Sequence, residues 1–384
     1  MHPTKLLKGH KTKYLEGKKI LIGLTSSIAI IEAPKLMREL IRHGAEVYCI
    51  ATEETKKIIG EEALKFGCGN KVYYDITGDL EHISLYNKCD LYIVIATANT
   101  VSKLANKIAD NIVTTTYLMF IDKPKFVVPV MHINMYKSIE ENLKKLDYVK
   151  PKIEEGKLKI DIEEIVKEAI KRVGNRFNKR VLILNGSTVE FIDDVRVITN
   201  LSSGKMGIAL AEAFLKKGYD VEMIMGLGKD VPYYIKTHKV LTSEEMLKKA
   251  LELGKDFDII VSSAAISDFI PEKVEGKISS DREELIIKLK RNVKVLKELR
   301  KKFEDKIIVG FKAEYDVDEK ELIERAKKRL DEYGLNMIVA NDLSKYYFGS
   351  DETEAYIITN KYVKKVKGSK NMVAEEIVKE VEKL

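Results

Sequence analysis

Short runs of branched apolar residues alternate along the chain with longer stretches whose apolar positions recur every three or four residues. The run KKILIGLT (18–25) predicts a buried strand, and the periodic stretch 29–43 predicts the helix that follows it. Gly44 ends this helix, and the run EVYCIAT (46–52) predicts a second buried strand. Because crossovers between parallel strands are right-handed, we expect both strands in one parallel sheet.

The same order of elements starts again in the second half of the chain. KRVLILN (179–185) predicts a strand, a helix ends near Gly218, and VEMIMG (221–226) predicts the next strand. Each half therefore predicts its own sheet and its own core, which suits a chain of 384 residues. The expected fold class is α/β, with two doubly wound, mostly parallel-sheet, Rossmann-like domains. We place these domains at residues 1–173 and 179–384.

The composition is that of a folded protein, with 45% hydrophobic and 33% charged residues. The net charge of +7 is small and spread along the chain, which favours small anionic substrates over nucleic acid. No apolar stretch approaches the roughly 20 residues of a membrane span, and the N-terminal region lacks the apolar core of a signal peptide. The three cysteines have no metal-ligand spacing. We therefore expect reduced cysteines, a cytoplasmic location and neither membrane nor nucleic-acid partners.

Ligands of parallel α/β sheets bind where strands end and the next helices begin. The predicted turns of this kind fall at 23–28, 52–55 and 96–100 in the first half, and at 185–188, 202–207 and 262–268 in the second. None of them contains GxGxxG or GxxxxGKS/T, so neither a dinucleotide fingerprint nor a P-loop is present. This absence argues against a generic two-domain dehydrogenase.

Hydroxyl residues follow two predicted strands of the first half, at Ser26, Ser27 and Thr52. Their hydroxyl groups and the neighbouring backbone N–H groups could bind a monophosphate such as that of FMN. Serine and threonine at helix starts are, however, commonly ordinary helix caps. These residues alone leave both interpretations open.

Four segments of the first half, taken together, are similar to the flavin-dependent cysteine decarboxylase family. They are TSSIA (25–29), ATAN (96–99), ADNIVTT (109–115) and PVMHINMY (129–136). The resemblance implies a flavodoxin-like flavoprotein domain with FMN as its cofactor. The FMN-binding residues that it implies are Ser26, Ser27, Ala96, Thr97, Asn99, Asp110 and Asn111, and Thr52 is added from its position at the end of the second strand. The substrate-binding residues that it implies in this half are Met131, His132 and Asn134.

The segment EHISLYNKCD (81–90) resembles the part of the same family that carries its catalytic histidine, and the matching residue is His82. A lone histidine is more often exposed or a helix cap, but an imidazole also suits a general base near neutral pH. The resemblance implies that His82 acts as a base when the flavin oxidises the thiol-bearing carbon. That oxidation creates an electron sink, CO₂ leaves, and reduced FMN returns the electrons.

Two departures from the family leave the first half partly open. His132 stands where the family has asparagine, and no cysteine occurs between Tyr148 and Ile160, where the family has a flap with a catalytic cysteine. The final proton donor is therefore not identified. One alternative is that this half binds FMN only for regulation or assembly. Another is a decarboxylase of the prenylated-FMN-linked group, which would explain His82 poorly.

The most specific string of the chain is NLSSGKMG (200–207), which leads into a predicted helix. The free N–H groups and the dipole of a helix start favour an anion, although SSGK also makes an ordinary cap. Together with NGSTVEFIDDVR (185–196), this string resembles the phosphopantothenate-cysteine ligase family. The resemblance extends over nearly all of residues 180–384 through SAAISD (263–268), GFKAE (310–314) and AND (340–342).

The ligase resemblance implies that CTP activates the carboxylate of 4′-phosphopantothenate as an acyl-cytidylate, with Mg²⁺ present and pyrophosphate released. The nitrogen of cysteine then attacks. Bacterial and archaeal members use CTP while eukaryotic relatives accept ATP, so the nucleotide stays open. Asn200 is implied to bind the activated acyl group, and Lys277 the triphosphate. The family has KIKK where this chain has KISS (277–280), so two positive charges are missing. The other substrate-binding residues implied are Ser202, Ser203, Gly204, Lys205, Ala265, Asp268, Phe311, Asn341 and Asp342.

As a whole, the chain resembles the bifunctional phosphopantothenoylcysteine decarboxylase / phosphopantothenate-cysteine ligase family in its archaeal form. The implied function is coenzyme A biosynthesis. The second half would ligate cysteine to 4′-phosphopantothenate, and the first half would decarboxylate the 4′-phosphopantothenoylcysteine formed to 4′-phosphopantetheine. Members of this family assemble, so we expect a homo-oligomer with trimer contacts through the N-terminal domain and dimer contacts through the C-terminal domain.

Overall fold

A computed structural model describes residues 2–281, 283–347 and 349–384 of the chain. Two units are separated by their internal contacts, unit 1 at Met1–Arg176 and unit 2 at Phe177–Leu384. The division falls in the connector between the two predicted domains. Each unit has a parallel sheet covered by helices, so the predicted α/β class with two doubly wound domains is confirmed.

Unit 1 has five parallel strands in the spatial order β3-β2-β1-β4-β5, and β6 and β7 form a separate hairpin. This is the Rossmann order, whereas a flavodoxin-type sheet would have the order 2-1-3-4-5. The sheet therefore follows the Rossmann-like part of the expectation. The strands of unit 1 are β1 (Lys19–Leu24), β2 (Glu46–Ala51), β3 (Val72–Tyr73), β4 (Leu91–Ala96), β5 (Lys125–Pro129), β6 (Lys152–Glu154) and β7 (Lys157–Lys159).

The helices of unit 1 connect these strands and cover the sheet. The periodic stretch predicted as one helix starts with a 3-10 turn at Ile28–Glu32, and the α-helix begins at Ala33, with Pro34 in its first turn. Proline is favourable there because the first N–H groups of a helix have no partner within it. The helices are α1 (Ala33–Arg42), α2 (Glu61–Cys68), α3 (Glu81–Lys88), α4 (Ala98–Ala105), α5 (Ile112–Met119), α6 (Ile133–Ser138), α7 (Glu140–Leu143) and α8 (Ile162–Val173).

Unit 2 has an eight-stranded sheet in the order β12-β11-β8-β13-β16-β17-β18-β19. Its first six strands pair in parallel and again have the Rossmann order when numbered by their succession in the chain, while β18 and β19 continue the sheet antiparallel. The strands of unit 2 are β8 (Arg180–Asn185), β9 (Val189–Phe191), β10 (Val197–Thr199), β11 (Asp220–Met225), β12 (Lys236–Lys239), β13 (Ile259–Ser262), β14 (Phe269–Pro271), β15 (Leu289–Arg291), β16 (Ile307–Glu314), β17 (Met337–Asp342), β18 (Glu352–Ile358) and β19 (Val363–Ser369).

The helices of unit 2 include the one predicted after the SSGK string. It begins at Lys205, directly after Gly204, whose φ of 73° lies in the left-handed region that favours glycine. Gly218 ends it in the same region, as the sequence predicts. The helices are α9 (Lys205–Lys217), α10 (Ser243–Leu253), α11 (Val295–Lys302), α12 (Glu319–Tyr333) and α13 (Lys370–Val381).

Central strands in both units are apolar on both faces because helices cover both sides of each sheet. All six residues of β4 are buried, as are the last five of β8. The largest fully buried side chains are Tyr92, Phe120 and Phe126 in unit 1, and Phe214 and Phe257 in unit 2. These cores fix the strand ends, where the predicted turns lie.

Candidate active sites

The strand order of unit 1 reverses between β1 and β4, and the side chain of one threonine forms hydrogen bonds between the ends of these two strands. Thr25 Oγ1 donates to the carbonyl of Ile95 (2.9 Å) and accepts from the backbone N–H of Thr97 (3.0 Å). Ligands of such sheets bind at this switch point, so the two turns that contain TSSIA and ATAN form the edge of one site.

The predicted FMN-binding hydroxyl residues lie at this edge in different environments. Ser26 is exposed, whereas Ser27 caps the following 3-10 turn by accepting from the N–H of Ala29 (3.4 Å). Thr52 is buried at the end of β2, and Thr97 caps α4 by accepting from the N–H of Thr100 (3.4 Å). Two of the side chains predicted to bind FMN, Ser27 and Thr97, therefore also act as caps.

Two other predicted FMN-binding residues lie at the ATAN turn itself. Ala96 is the buried last residue of β4, and Asn99 is exposed in the first turn of α4. A small buried side chain beside an exposed amide leaves room for a ring to approach the end of β4. The structure thus keeps both residues at the switch point.

Asp110 and Asn111 are engaged by the local structure around the start of α5. The Asn111 side chain accepts from the N–H groups of Val113 (3.0 Å) and Thr114 (3.1 Å) in a capping box. Asp110 accepts from Lys103 Nζ (2.5 Å), which lowers the pKa of that carboxyl. Part of the ADNIVTT string is thus explained by helix capping alone.

His82 lies in the first turn of α3 and is half-buried. Its Nδ1 is buried, and no group of the described residues forms a hydrogen bond with it. A buried polar atom without a partner is costly, so it indicates a site that a ligand or water completes.

Tyr74, which follows β3, has a second such atom, because its Oη is also buried without a partner within the described ranges. Burial raises the pKa of Tyr74 to about 12, so this hydroxyl stays protonated and can donate. No motif singled out Tyr74 in the sequence, because the burial of its hydroxyl depends on packing that no local pattern shows.

The predicted substrate clamp lies against the hairpin of β6 and β7. The N–H of Ile133 donates to the carbonyl of Gly156 (2.9 Å), and the N–H of Leu158 donates to the carbonyl of Met131 (2.8 Å). His132 caps α6, with Nδ1 accepting from the N–H of Asn134 (3.2 Å), so the neutral ring carries its proton on Nε2. The hairpin without cysteine thus holds the segment 131–134 in place.

In unit 2 the strand order reverses between β8 and β13, and Asn185 supports the NLSSGKMG string there. Asn185 Nδ2 donates to the carbonyl of Gly204 (2.8 Å). A Cβ atom added to Gly207 would lie 2.2 Å from Asn185 Cγ, so only glycine fits at that position. The motif's second glycine therefore allows the helix to pack directly on this side chain.

Asn200 and the serines of the string are held by the ends of neighbouring strands. Asn200 Nδ2 donates to the carbonyl of Ala265 (3.1 Å), which belongs to the turn after β13. Ser187 Oγ lies within hydrogen-bonding distance of the carbonyls of Asn200 (2.8 Å) and Ser202 (3.2 Å). These contacts bring the NLSSGKMG and SAAISD strings together.

A cavity of about 400 Å³ lies at this switch point. Nine of the eleven predicted ligase residues line it: Asn200, Ser202, Ser203, Gly204, Lys205, Ala265, Asp268, Phe311 and Asn341. Its basic lining residues are Lys205, Lys294, Lys312, Arg329 and Lys370. They outnumber the two carboxylates of the lining, Asp268 and Glu352, so the cavity suits an anion.

Two of the predicted ligase residues do not line the cavity. The two outside it, Lys277 and Asp342, have other surroundings. Asp342 is buried, and its carboxylate accepts from the N–H groups of Asp316 (3.0 Å) and Ser344 (2.9 Å). Burial raises the pKa of Asp342, but these hydrogen bonds outweigh it and lower the pKa. This carboxylate therefore holds loops rather than facing the cavity.

Lys277 lies in an exposed segment that Asp193 and Asp194 anchor. The N–H of Ile278 donates to Asp193 Oδ2 (3.1 Å), and the N–H of Gly276 donates to Asp194 Oδ2 (2.8 Å). Arg196 Nη1 donates to the same Asp193 oxygen (2.6 Å) and to the carbonyl of Ile278 (3.1 Å). We name residues 276–278, with this anchor, the flap.

The anchoring residues Asp193 and Arg196 were not among the predicted site residues. Their signal was present in the sequence, as charged residues inside the string NGSTVEFIDDVR (185–196). Asp193 is fully buried, and a buried carboxylate needs hydrogen-bond donors around it. The partner segment lies more than 80 residues further along the chain, so its position could not be read from the local pattern.

Two Rossmann-type sheets, each with a polar site at its switch point, define a two-domain α/β flavoprotein class, and both halves match known families. Residues 8–174 match the Flavoprotein family, and residues 177–384 match the C-terminal domain of DNA/pantothenate metabolism flavoproteins. The chain is 65% identical to the coenzyme A biosynthesis bifunctional protein CoaBC of Methanocaldococcus jannaschii, over 100% of this chain and 98% of that protein. The chain belongs to this CoaBC family.

Two further CoaBC proteins are similar over nearly their whole length. The protein of Thermococcus kodakarensis is 40% identical, over 100% of both chains, and that of Borreliella burgdorferi is 32% identical, over 95% of this chain and 99% of that protein. The chain is thus a bifunctional enzyme of coenzyme A biosynthesis, with decarboxylase and ligase activities. The dehydrogenase and prenylated-FMN interpretations are set aside. Among the described residues, no helix is both long and apolar enough to cross a membrane.

Proposed function

We propose that the cavity of unit 2 binds CTP and 4′-phosphopantothenate and forms the acyl-cytidylate. A carboxylate oxygen of phosphopantothenate attacks the α-phosphorus of CTP, and pyrophosphate leaves. The nitrogen of cysteine then attacks the acyl carbon, and CMP leaves. The observation that carries this proposal is the cavity itself, where the SSGK string and the turn after β13 meet at the switch point.

The polar lining supports a division of roles inside the cavity. The start of α9 and the amine of Lys205 suit the phosphate groups. Asn200, held by the carbonyl of Ala265, suits the acyl group, since its side chain is fixed beside the phosphate-binding string. Asp268 forms an ion pair with Lys294, and together with Phe311 and Asn341 it would bind the nucleoside.

Mg²⁺ is expected to enter with the nucleotide. The described residues contain no group of three or more His, Cys, Asp or Glu side chains arranged for a metal. Mg²⁺ commonly keeps several waters and binds one or two carboxylates together with substrate phosphates. The cavity lining has two carboxylates, Asp268 and Glu352, which fits that pattern.

For unit 1 we propose that His82 is the general base of the decarboxylase and that the segment 131–134 binds the substrate. The unbonded Nδ1 of His82 and the hydroxyl residues of the β1 and β4 turns fit FMN at the switch point. Bound FMN would supply the oxidation and the return of electrons. His82 would take a proton, while Met131, His132 and Asn134 orient the substrate carboxylate.

Self-association and a cytoplasmic location are also proposed. Exposed apolar residues support contacts between copies, with Ile28 and Ile31 beside the unit 1 site, and Leu201 and Phe269 beside that of unit 2. We keep the expected trimer contacts for unit 1 and dimer contacts for unit 2. The three cysteines are free and buried, which fits a reducing compartment.

A coupled assay tests the proposal. The protein is incubated with 4′-phosphopantothenate, cysteine and Mg²⁺, with CTP or ATP, while pyrophosphate and CO₂ are followed together. We expect both products with CTP, and a flavin spectrum in the purified protein. Asn200→Asp should impair pyrophosphate release and spare the decarboxylation of supplied 4′-phosphopantothenoylcysteine, whereas Asn360→Asp, in an exposed turn, should change neither. Pyrophosphate without CO₂ would favour the alternative in which FMN serves only regulation or assembly.

A further inference from the structure

At the edge of the unit 2 cavity, three oxygen atoms of residues 349–351 accept hydrogen bonds from lysine amines. Lys205 Nζ donates to the carbonyl of Gly349 (2.5 Å) and to Asp351 Oδ1 (2.5 Å). Lys370 Nζ donates to the carbonyl of Ser350. Both lysines line the cavity, although they are 165 residues apart in the sequence.

Positive charge is in excess at this edge. Lys229 also lies near enough to Asp351 to lower the pKa of its carboxyl, after the larger effect of Lys205. Asp351 is thus the carboxylate that faces three lysines, and its side chain is 89% exposed. Lys370 forms no ion pair within the part of the chain that the structure describes, and both burial and Lys205 lower its pKa.

A purely structural role for Lys370 would be to tie the loop before β18 to the start of α13. That role needs only one donor to one carbonyl and does not require a second lysine at the same place. Two ammonium groups that share a partly buried edge repel each other, unless an anion lies between them. An exposed aspartate that moves away easily is a weak way to satisfy them.

We propose that Lys370 is a second phosphate-binding residue of the nucleotide site, and that Asp351 occupies the place of a phosphate on Lys205 until the nucleotide displaces it. This inference rests on the proposed function of unit 2. The ligand chemistry is that of a polyphosphate, either the triphosphate of the nucleotide or the pyrophosphate released.

The test is calorimetric titration of the full-length protein with CTP and, separately, with inorganic pyrophosphate. Lys370→Gln should raise Kd for both about tenfold, because a charge-assisted hydrogen bond is lost. Lys370→Arg should stay within about threefold of the wild type, since the cation is kept. Lys379→Gln, on the exposed face of the same helix, is the matched control and should not change Kd.

For Asp351→Asn, the direction of the change in Kd is the informative result. If this carboxylate competes with phosphate, its removal should lower Kd several-fold; a higher Kd would overturn the displacement. An unchanged Kd in Lys370→Gln, together with a higher Kd in Lys205→Gln, would overturn the proposed role of Lys370. It would leave the nucleotide site itself standing. A wild type that binds neither CTP nor pyrophosphate would instead refute the proposed nucleotide site, and the inference with it. A thermal melt of each variant identifies loss of folding. If Lys370→Gln does not fold, the Kd of Lys370→Arg tests the role of the cation instead.

Discussion

His82 combines a position in the first turn of α3 with a buried ring nitrogen that has no partner among the described residues. We expect His82→Asn to reduce the rate of CO₂ release at least about a hundredfold, because a positioned general base contributes about 10²–10⁴. Pyrophosphate release by unit 2 should stay at the wild-type rate. The measurement is CO₂ release from supplied 4′-phosphopantothenoylcysteine, beside ligation assayed on its own.

The control for this variant is His10→Asn, an exposed histidine of the same unit. It should leave both activities unchanged. CO₂ release that survives in His82→Asn would contradict the proposed base, provided that the flavin spectrum shows FMN still bound. Loss of FMN together with loss of activity would point to a binding role for His82 instead.

Single residues show where the sequence was informative and where it was not. The string around Lys205 predicted a phosphate-binding helix start, because its glycine and its helix signal are local. The partner of Lys205 is Asp351, 146 positions further on, and no local pattern joins the two. Asp342 was predicted on resemblance alone, and the structure uses its carboxylate to hold backbone N–H groups.

At the scale of elements, the flap depends on Asp193. We expect Asp193→Asn to raise KM for the nucleotide in ligation, because the neutral amide weakens the contacts with Arg196 and with the N–H of Ile278. The flap should also be cut faster by protease. Ligation kinetics and limited proteolysis measure these effects, and decarboxylation by unit 1 should not change.

The neighbouring carboxylate offers a matched comparison. Asp194→Asn removes an exposed carboxylate that bonds Lys273 and the N–H of Gly276, so we expect a smaller rise in KM. An Asp193→Asn protein with wild-type KM would show that the flap does not need this anchor. Lys277→Gln then tells whether the flap carries a charge to the nucleotide at all.

The packing of α13 on β19 predicts a pH effect on stability. Burial raises the pKa of Glu380, but hydrogen bonds from Lys364, Lys383 and Tyr362 outweigh it and lower the pKa to about 2 from its ordinary value of 4.5. The stabilisation is therefore fully present above pH 4.5 and is lost as the pH falls towards 2. Glu380→Gln should lower the free energy of unfolding by about 1–2 kcal/mol at neutral pH, after allowance for solvent screening.

Urea unfolding at neutral and acidic pH measures this difference. It should shrink as the pH falls, because the wild-type carboxylate becomes protonated. Glu375→Gln, on the same helix with one exposed ion pair to Lys216, should change stability little at either pH. An equal loss at both pH values would mean that Glu380 acts through packing and not through its charge.

Strands and helices with strong apolar patterns were predictable, whereas short strands were not. The buried runs that became β1, β2, β4 and β8 carry their signal in consecutive branched residues. Strand β9 pairs with β10, and β14 pairs with β15. Each of these four strands has three residues, and few of their side chains are buried. Such strands form through partners elsewhere in the chain, so they lack a comparable local pattern.

At the scale of the whole molecule, two separate cores predict two unfolding steps. FMN at a concentration of 100 times its Kd should stabilise unit 1 by about 2.7 kcal/mol and leave unit 2 unchanged, and CTP should do the reverse. Differential scanning calorimetry with each ligand measures this. A single transition that both ligands shift equally would contradict independent cores.

The division into two halves was predictable because each half repeats the same order of strand, helix and glycine. Both sheets adopt the same Rossmann order, which right-handed crossovers allow but do not by themselves select over the flavodoxin order. The antiparallel continuation of the second sheet by β18 and β19 was not predicted. Its strands follow the last parallel strand, where no crossover helix constrains the direction.

The contact between Gly207 and Asn185 has a consequence for inhibitor design. A compound that rests on this wall of the cavity contacts Asn185, whose position depends on Gly207, because any side chain at position 207 would collide with Asn185. Resistance would have to arise elsewhere in the lining. An inhibitor that draws its affinity from this wall should therefore lose potency more slowly under selection than one that relies on the exposed Asp351.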